Sequence, residues 1–155
     1  MNKNYPNIFL TTTDTVPGLG TIFSEKNLKD LFEIKKRPKS KNIVIMVGSW
    51  EQARKLKDWS SKAEDLAIHC WPGATTLVLS ESQAVRMPNC DKLRDLIKDI
   101  GPIYMTSANI SGEPQLSYEE AKRKFSNIGN YYYFNKGSGK PSTIIRVLDK
   151  KVLRS

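Results

Sequence analysis

Lys35 and Arg37 stand two positions apart in KKRPKSK, residues 35–41, where five cations fall within seven residues. Cations at the C-terminal end of a helix are favoured by its dipole, which accounts for one or two of them. The rest leave two readings open. The stretch is a solvated charge run, or a Lys/Arg pair that reaches a phosphate chain, Arg as a planar fork and Lys as a point charge. A second stretch, YMTSANISGEP at 104–114, follows apolar Tyr104 and Met105 with Thr106, Ser107, Asn109 and Ser111. Such residues favour turns, each for its own reason. They are also what an open α/β sheet places at a strand's carboxyl end to bind a ligand.

Three further stretches carry polar chemistry. TTTDTVPGLG, residues 11–20, leaves a strand, turns through Pro17-Gly18 and presents threonine hydroxyls beside Asp14. AVRMP, residues 84–88, sets Arg86 among apolar neighbours, so it is expected to be partly buried and to need an anionic partner, internal or bound. NKGSGKPST, residues 135–143, is not a P-loop. That motif needs Gly at Phe134 and Ser or Thr at Pro141, and TIIRVL after it reads as a strand. The stretch reads instead as a Gly-rich loop whose Ser142 and Thr143 hydroxyls face something anionic. In WPGATTLVL, residues 71–79, Trp71 reads as core ahead of a buried strand.

The inventory is cations, hydroxyls and an isolated Arg. Two cysteines, Cys70 and Cys90, and one histidine, His69, imply no disulfide framework and no zinc or His-based metal site. His69 reads as a core-edge residue. A net charge of +9 suits an anionic partner such as a nucleotide, a nucleic acid or an acidic membrane face. These residue types fit nucleotide binding and charge stabilisation during phosphoryl chemistry, not a Ser-His-Asp hydrolase. The start, MNKNYPNIFL, has no long apolar run or cleavage-like segment, so a cytoplasmic protein is expected.

These side chains need a scaffold, and 155 residues suggest a single domain spanning 1–155. β-branched and aromatic runs predict strands at 8–11, 19–23, 43–47, 75–79, 103–106, 131–134 and 143–148. Ala53, Leu56, Trp59, Ala63, Leu66, Ala67 and Cys70 recur at helical spacing, which predicts one helix after a Ser49/Gln52 capping box. Ser117 with Glu120 predicts another capping box, and Asn27 is expected to cap a helix carrying Leu28, Leu31 and Phe32. Leu93, Leu96, Ile97 and Ile100 mark a helix stopped by Gly101-Pro102. The expected fold is α/β, a single domain with a mixed, strongly twisted sheet flanked by helices.

In order along the chain, these motifs resemble the YrdC-like family of threonylcarbamoyl-AMP synthases. The family's Lys-x-Arg and Ser-x-Asn signature reads here Lys35-Lys36-Arg37 and Ser107-Ala108-Asn109. TTTDTVPGLG resembles its PTDTVYGL, WPGATTLVL its WPGPLTLVL, VRMP its VRxP, PSTII its ESTI, and VLRS the start of its LRPG. The resemblance runs from about residue 10 to the last residue and implies a YrdC-like twisted sheet. It implies nucleotide contacts at Lys35, Arg37, Lys41, Ser107, Asn109 and Arg154, with Lys35 and Arg37 catalytic along the phosphates. It implies threonine contacts at Thr13, Arg86 and Ser142. The chain departs from the family pattern in lacking an amphipathic helix before the first motif, in Pro17 for an aromatic, and in Met46 where some members place His.

The implied reaction joins L-threonine, bicarbonate and ATP into threonylcarbamoyl-AMP and pyrophosphate, with Mg²⁺ arriving on the nucleotide rather than in a dedicated protein site. The product would serve N6-threonylcarbamoylation of adenosine 37 in tRNA through a downstream transferase complex. Two alternatives remain: a non-catalytic basic module that binds double-stranded RNA or tRNA, and carbamoyl transfer as in hydrogenase-maturation proteins, whose chains carry further modules.

Overall fold

A computed structural model describes residues 3–37 and 43–155. Among the described residues, nine strands form one sheet in the order β7-β1-β2-β6-β3-β5-β4-β8-β9. They are β1 (Tyr5–Thr11), β2 (Gly18–Ile22), β3 (Val44–Met46), β4 (Thr75–Val78), β5 (Ala84–Arg86), β6 (Ile103–Ser107), β7 (Ile128–Tyr132), β8 (Thr143–Arg146) and β9 (Lys151–Arg154). β1/β7, β3/β5 and β4/β8 pair parallel and the remaining neighbours antiparallel. The sheet is mixed, as expected. Five helices accompany it among the described residues: α1 (Glu25–Lys35), α2 (Trp50–Arg54), α3 (Ser61–Cys70), α4 (Asp91–Ile100) and α5 (Tyr118–Lys124).

Alternation along the strands decides what faces what. Successive side chains of a strand point to opposite faces. Ile45, Leu77 and Val85 lie in a cluster with Ala63, Ala67 and Trp71, so this face is covered by α3. Leu10 and Leu19 join Leu31 and Ile34 of α1 in a neighbouring cluster, and Tyr104 packs against both. Phe9, Met46, Ile103 and Met105 point the other way and meet Leu93 and Ile97 of α4. Burying a side chain such as Leu77 contributes about 1.5–3 kcal/mol, enough to fix each strand's register. A one-residue slip would turn Val85 away from the α3-covered cluster and push the charged Arg86 into it.

Several expected elements differ in detail. The helix expected to run on from Ser49 is two. Leu56 and Trp59 donate tight i−3 bonds to Ala53 and Leu56, and Ser60 then caps α3 by accepting from Ala63 N at 3.1 Å. The apolar spacing is continuous because Leu56 and Trp59 belong to the same core on both sides of the break. Ser49 caps α2 by accepting from Gln52 N, but the Gln52 side chain accepts from Gly48 N and donates to Ile97 O, so no reciprocal box forms. α1 is capped by Ser24, not Asn27. Asn27 instead donates its backbone N–H to Ser24 and its side-chain amide to Ile22 O. The Ser117/Glu120 capping box is present. His69 is exposed, not at the core edge, whereas Trp71 is core. β5 and β9, three and four residues long, were not foreseen. β8 ends early because Arg146 pairs with Asp149 across the following turn. The first described element is β1, with no helix ahead of it among the described residues.

Candidate functional site

The face opposite α3 holds a cavity of about 280 Å³. Its walls follow from strand alternation: Val44 and Met46, Thr76 and Val78, Ala84 and Arg86, Met105 and Ser107 are each two apart on one strand. Gly18 of β2, Thr106 of β6, Ile144 of β8 and Arg154 of β9 add to them, and loops at strand ends supply the rest. Thr13, Arg37, Arg86, Ser107, Ser142 and Arg154, widely separated in sequence, all line this one space.

Lys35 and Asn109 stand behind Ser107 and are not part of the lining. Lys35 closes α1 and is 1% exposed. Its ammonium donates to Ser107 O at 2.6 Å, Asn109 Oδ1 at 3.1 Å and Ser107 Oγ at 3.3 Å. Ser107 Oγ donates in turn to Asn109 Oδ1 at 2.6 Å. The Asn109 amide holds Ile110 O and Glu113 O, and Ser111 N donates to Lys35 O. The polar residues after β6 are therefore wound around a buried cation. Burial, helped by the neighbouring Arg37 charge, pulls the Lys35 pKa from 10.5 down to about 8. At the end of α1, Lys36 adopts the left-handed conformation with φ 52°, and Arg37 N bonds back to Phe32 O. This closing turn leaves Lys35 inside the fold while Arg37 lines the cavity. Burial also lowers the Arg37 pKa. Lys41 lies outside the described residues.

Arg86 is buried at 3% exposure, and the anionic partner it needs is internal. Nη1 donates to Asp14 Oδ1 at 2.6 Å and Gly73 O at 3.1 Å, and Nη2 to Thr15 Oγ1 at 3.1 Å. Asp14 Oδ2 accepts from Asn89 N at 3.0 Å. Thr13 Oγ1 donates to Val16 O and accepts from Thr15 N, which ties the turn to itself. The Gly-rich loop docks on the same turn: Ser138 N donates to Asp14 O and Gly139 N to Thr15 O, both at 3.0 Å. A Cβ on Gly137 would lie 2.2 Å from Thr15 O, so only glycine permits the approach. Ser142 lines the cavity, and its hydroxyl is held by protein groups. Its Oγ shares a 2.8 Å hydrogen bond with Thr76 Oγ1 and accepts from Arg154 Nη2 at 3.2 Å. Arg154 Nε holds Ser142 O, and burial together with the nearby Arg86 charge lowers the Arg154 pKa.

Three guanidinium groups thus border one small space, and Asp14, which pairs one of them, is not in its lining. Such a cavity favours an anionic occupant. Sequence reading had not placed Thr15 or Thr76 in the site; alternation with buried Leu77 was the available signal for Thr76. Among the described residues no three His, Cys, Asp or Glu side chains gather to hold a metal. The donor set here is cations and hydroxyls, so a Mg²⁺ that arrives with a nucleotide would take its ligands from phosphate oxygens and water. No helix of the described residues is long and apolar enough to cross a membrane.

A mixed α/β sheet with a cation- and hydroxyl-lined hollow on one face is the class of protein defined so far. The model of the Sua5/YciO/YrdC domain, described as "Telomere recombination", matches residues 6–155. The chain belongs to this family. A threonylcarbamoyl-AMP synthase of Pyrococcus abyssi is 40% identical over 118 residues, covering 66% of this chain and 35% of that protein. One of Bacillus subtilis is 34% identical over 121 residues, covering 66% and 34%. The chain thus spans about a third of the length of these relatives. The crystal structure of P. abyssi Sua5 complexed with L-threonine superposes with a TM-score of 0.82 at 31% identity, over 91% of this chain and 47% of that one. Escherichia coli YciO shares the fold, with a TM-score of 0.84 at 19% identity over 97% and 83%.

Proposed function

We propose that this chain forms threonylcarbamoyl-AMP and pyrophosphate from L-threonine, bicarbonate and ATP, as a nucleotidyl-transferring enzyme. The observation that carries the proposal is the convergence of Thr13, Arg37, Arg86, Ser107, Ser142 and Arg154 on one 280 Å³ cavity. It supports the reading because the scaffold resembles a relative whose structure was solved with L-threonine.

The chemistry asks for positioning and charge neutralisation rather than a protein nucleophile. The threonine amine adds to bicarbonate, a C–N bond forms, and water leaves to give a carbamate. A carbamate oxygen then attacks the α-phosphorus of ATP, and the bond to the bridging oxygen of pyrophosphate breaks. Arg37 neutralises the triphosphate from the cavity wall. Lys35 acts from behind Ser107, its charge facing the same phosphates while it holds Ser107 and Asn109 in place. A Mg²⁺ carried by the nucleotide would be held by phosphate oxygens and water and would supply further charge neutralisation beside Arg37. Arg86 receives the threonine carboxylate with the donors that protein acceptors leave over. Among the described residues its Nε and second Nη2 proton have no acceptor. Thr13 and Ser142 border the amino acid, and Arg154 the nucleotide. The adenylate is passed on for tRNA modification by a downstream transferase complex in the cytoplasm.

Incubation with ¹³C-bicarbonate, ATP, Mg²⁺ and L-threonine tests the proposal. The expected result is a threonylcarbamoyl-adenylate ion one mass unit heavier than with ordinary bicarbonate. ATP consumption without that label in the product would refute it.

A further inference from the structure

We infer that Asp14 is the positioning residue for Arg86, and so sets the affinity for the amino-acid substrate without touching it. The inference rests on the proposed reading, in which Arg86 receives a carboxylate.

Arg86 lines the cavity and Asp14 does not, yet their side chains meet at 2.6 Å with 4% and 12% exposure. An unrestrained guanidinium on a three-residue strand has several rotamers and would turn its plane freely. Here Asp14 Oδ1 and Gly73 O hold both protons of Nη1, and Thr15 Oγ1 holds one of Nη2. That arrangement fixes the plane and reserves the Nε edge for an occupant. Asp14 is itself held. Its second oxygen accepts from Asn89 N, three residues past Arg86, and its carbonyl accepts from Ser138 N of the Gly-rich loop. The carboxylate therefore joins the threonine-rich turn to the end of β5, and the main-chain carbonyl of the same residue joins it to the 137–139 loop. The carboxylate also leaves the Arg86 pair formally neutral, so an incoming carboxylate meets oriented N–H donors rather than a lone buried charge. Asp14→Asn sets an amide donor against either Asn89 N–H or Arg86 Nη1, so the guanidinium loses the fixed plane that aims its Nε edge, and this loss of orientation outweighs the cation's gain in bare charge.

The test is Asp14→Asn, which keeps shape and removes charge, with Asp14→Glu as a second variant that keeps charge and displaces it. The readouts are threonine and ATP KM values from pyrophosphate release, and direct threonine and ATP binding by calorimetry. Asp14→Asn is expected to raise the threonine KM and Kd on the order of tenfold or more. The ATP Kd should stay within about twofold, and Asp14→Glu should fall between Asn and wild type. A merely structural role would weaken both substrates together. Unchanged threonine affinity in a folded Asp14→Asn protein overturns the positioning role alone. If Asp14→Asn does not fold, Asp14→Glu with wild-type threonine affinity overturns it equally. Wild-type protein that neither binds threonine nor releases pyrophosphate overturns the underlying reading, and this inference with it.

Discussion

Lys35 makes the fold's stability depend on pH in an unusual direction. The side chain is 1% exposed, and its pKa falls from 10.5 to about 8. Below about pH 8 the ammonium is protonated in both folded and unfolded chains, and its burial is a constant cost. Between about pH 8 and 10.5 the unfolded chain holds that proton and the folded chain has released it. The unfolded state then binds more protons, so raising pH favours the folded state. The shift corresponds to about 3 kcal/mol across this window. Other lysines and tyrosines titrate there too, so the comparison is with Lys35→Met, which keeps the stem and has no proton to lose. Urea unfolding of both proteins at pH 7, 8, 9 and 10 is the assay. The wild-type stability, relative to Lys35→Met, should be flat up to about pH 8 and then rise by roughly 2–3 kcal/mol. At pH 7 the variant should be close to wild type. It loses the donor for Ser107 O and Asn109 Oδ1, about 1–3 kcal/mol each, but is relieved of the ammonium's burial. Parallel pH curves for the two proteins would refute the argument that Lys35 is a desolvated cation.

Other consequences are local. Lys36→Gly should raise stability by about 1 kcal/mol in urea unfolding, because φ 52° strains any residue with a Cβ; a loss would mean the closing turn of α1 relies on the Lys36 side chain. Gly137→Ala should lose on the order of 2 kcal/mol or more by thermal unfolding, since its Cβ would press on Thr15 O at 2.2 Å and Thr13 O at 2.7 Å. It should also weaken threonine binding through the displaced turn. Arg37→Ala should abolish pyrophosphate release while the circular dichroism spectrum and melting temperature stay near wild type; near-normal turnover would remove Arg37 from the reaction.

Much of this was legible in the chain because local chemistry and tertiary position agree. The Ser117/Glu120 box and the Leu93/Leu96/Ile97/Ile100 spacing placed α5 and α4 because capping and periodicity act within a few residues. Arg86 read as buried and in need of an anion, and it is. What sequence could not supply was the partner's identity, since Asp14 and Arg86 are 72 positions apart and meet only through the sheet. Lys35 illustrates the same point. Seen in KKRPKSK it is one cation among several, but the left-handed turn at Lys36 sends it inward and leaves Arg37 on the cavity wall. The break between α2 and α3 was hidden because the apolar pattern follows the shared core, while the backbone answers to Ser60. β5 and β9 are too short to show a period; their place is set by pairing with β3 and β8.

The most direct measurement is pyrophosphate release from ATP and Mg²⁺ by the purified chain, with L-threonine and bicarbonate each omitted in turn. The account predicts release that requires both and that D-threonine does not support. Release indifferent to threonine would contradict it. So would a folded protein that releases none and binds double-stranded RNA in a salt-sensitive way, which would hand the basic surface to the RNA-binding alternative.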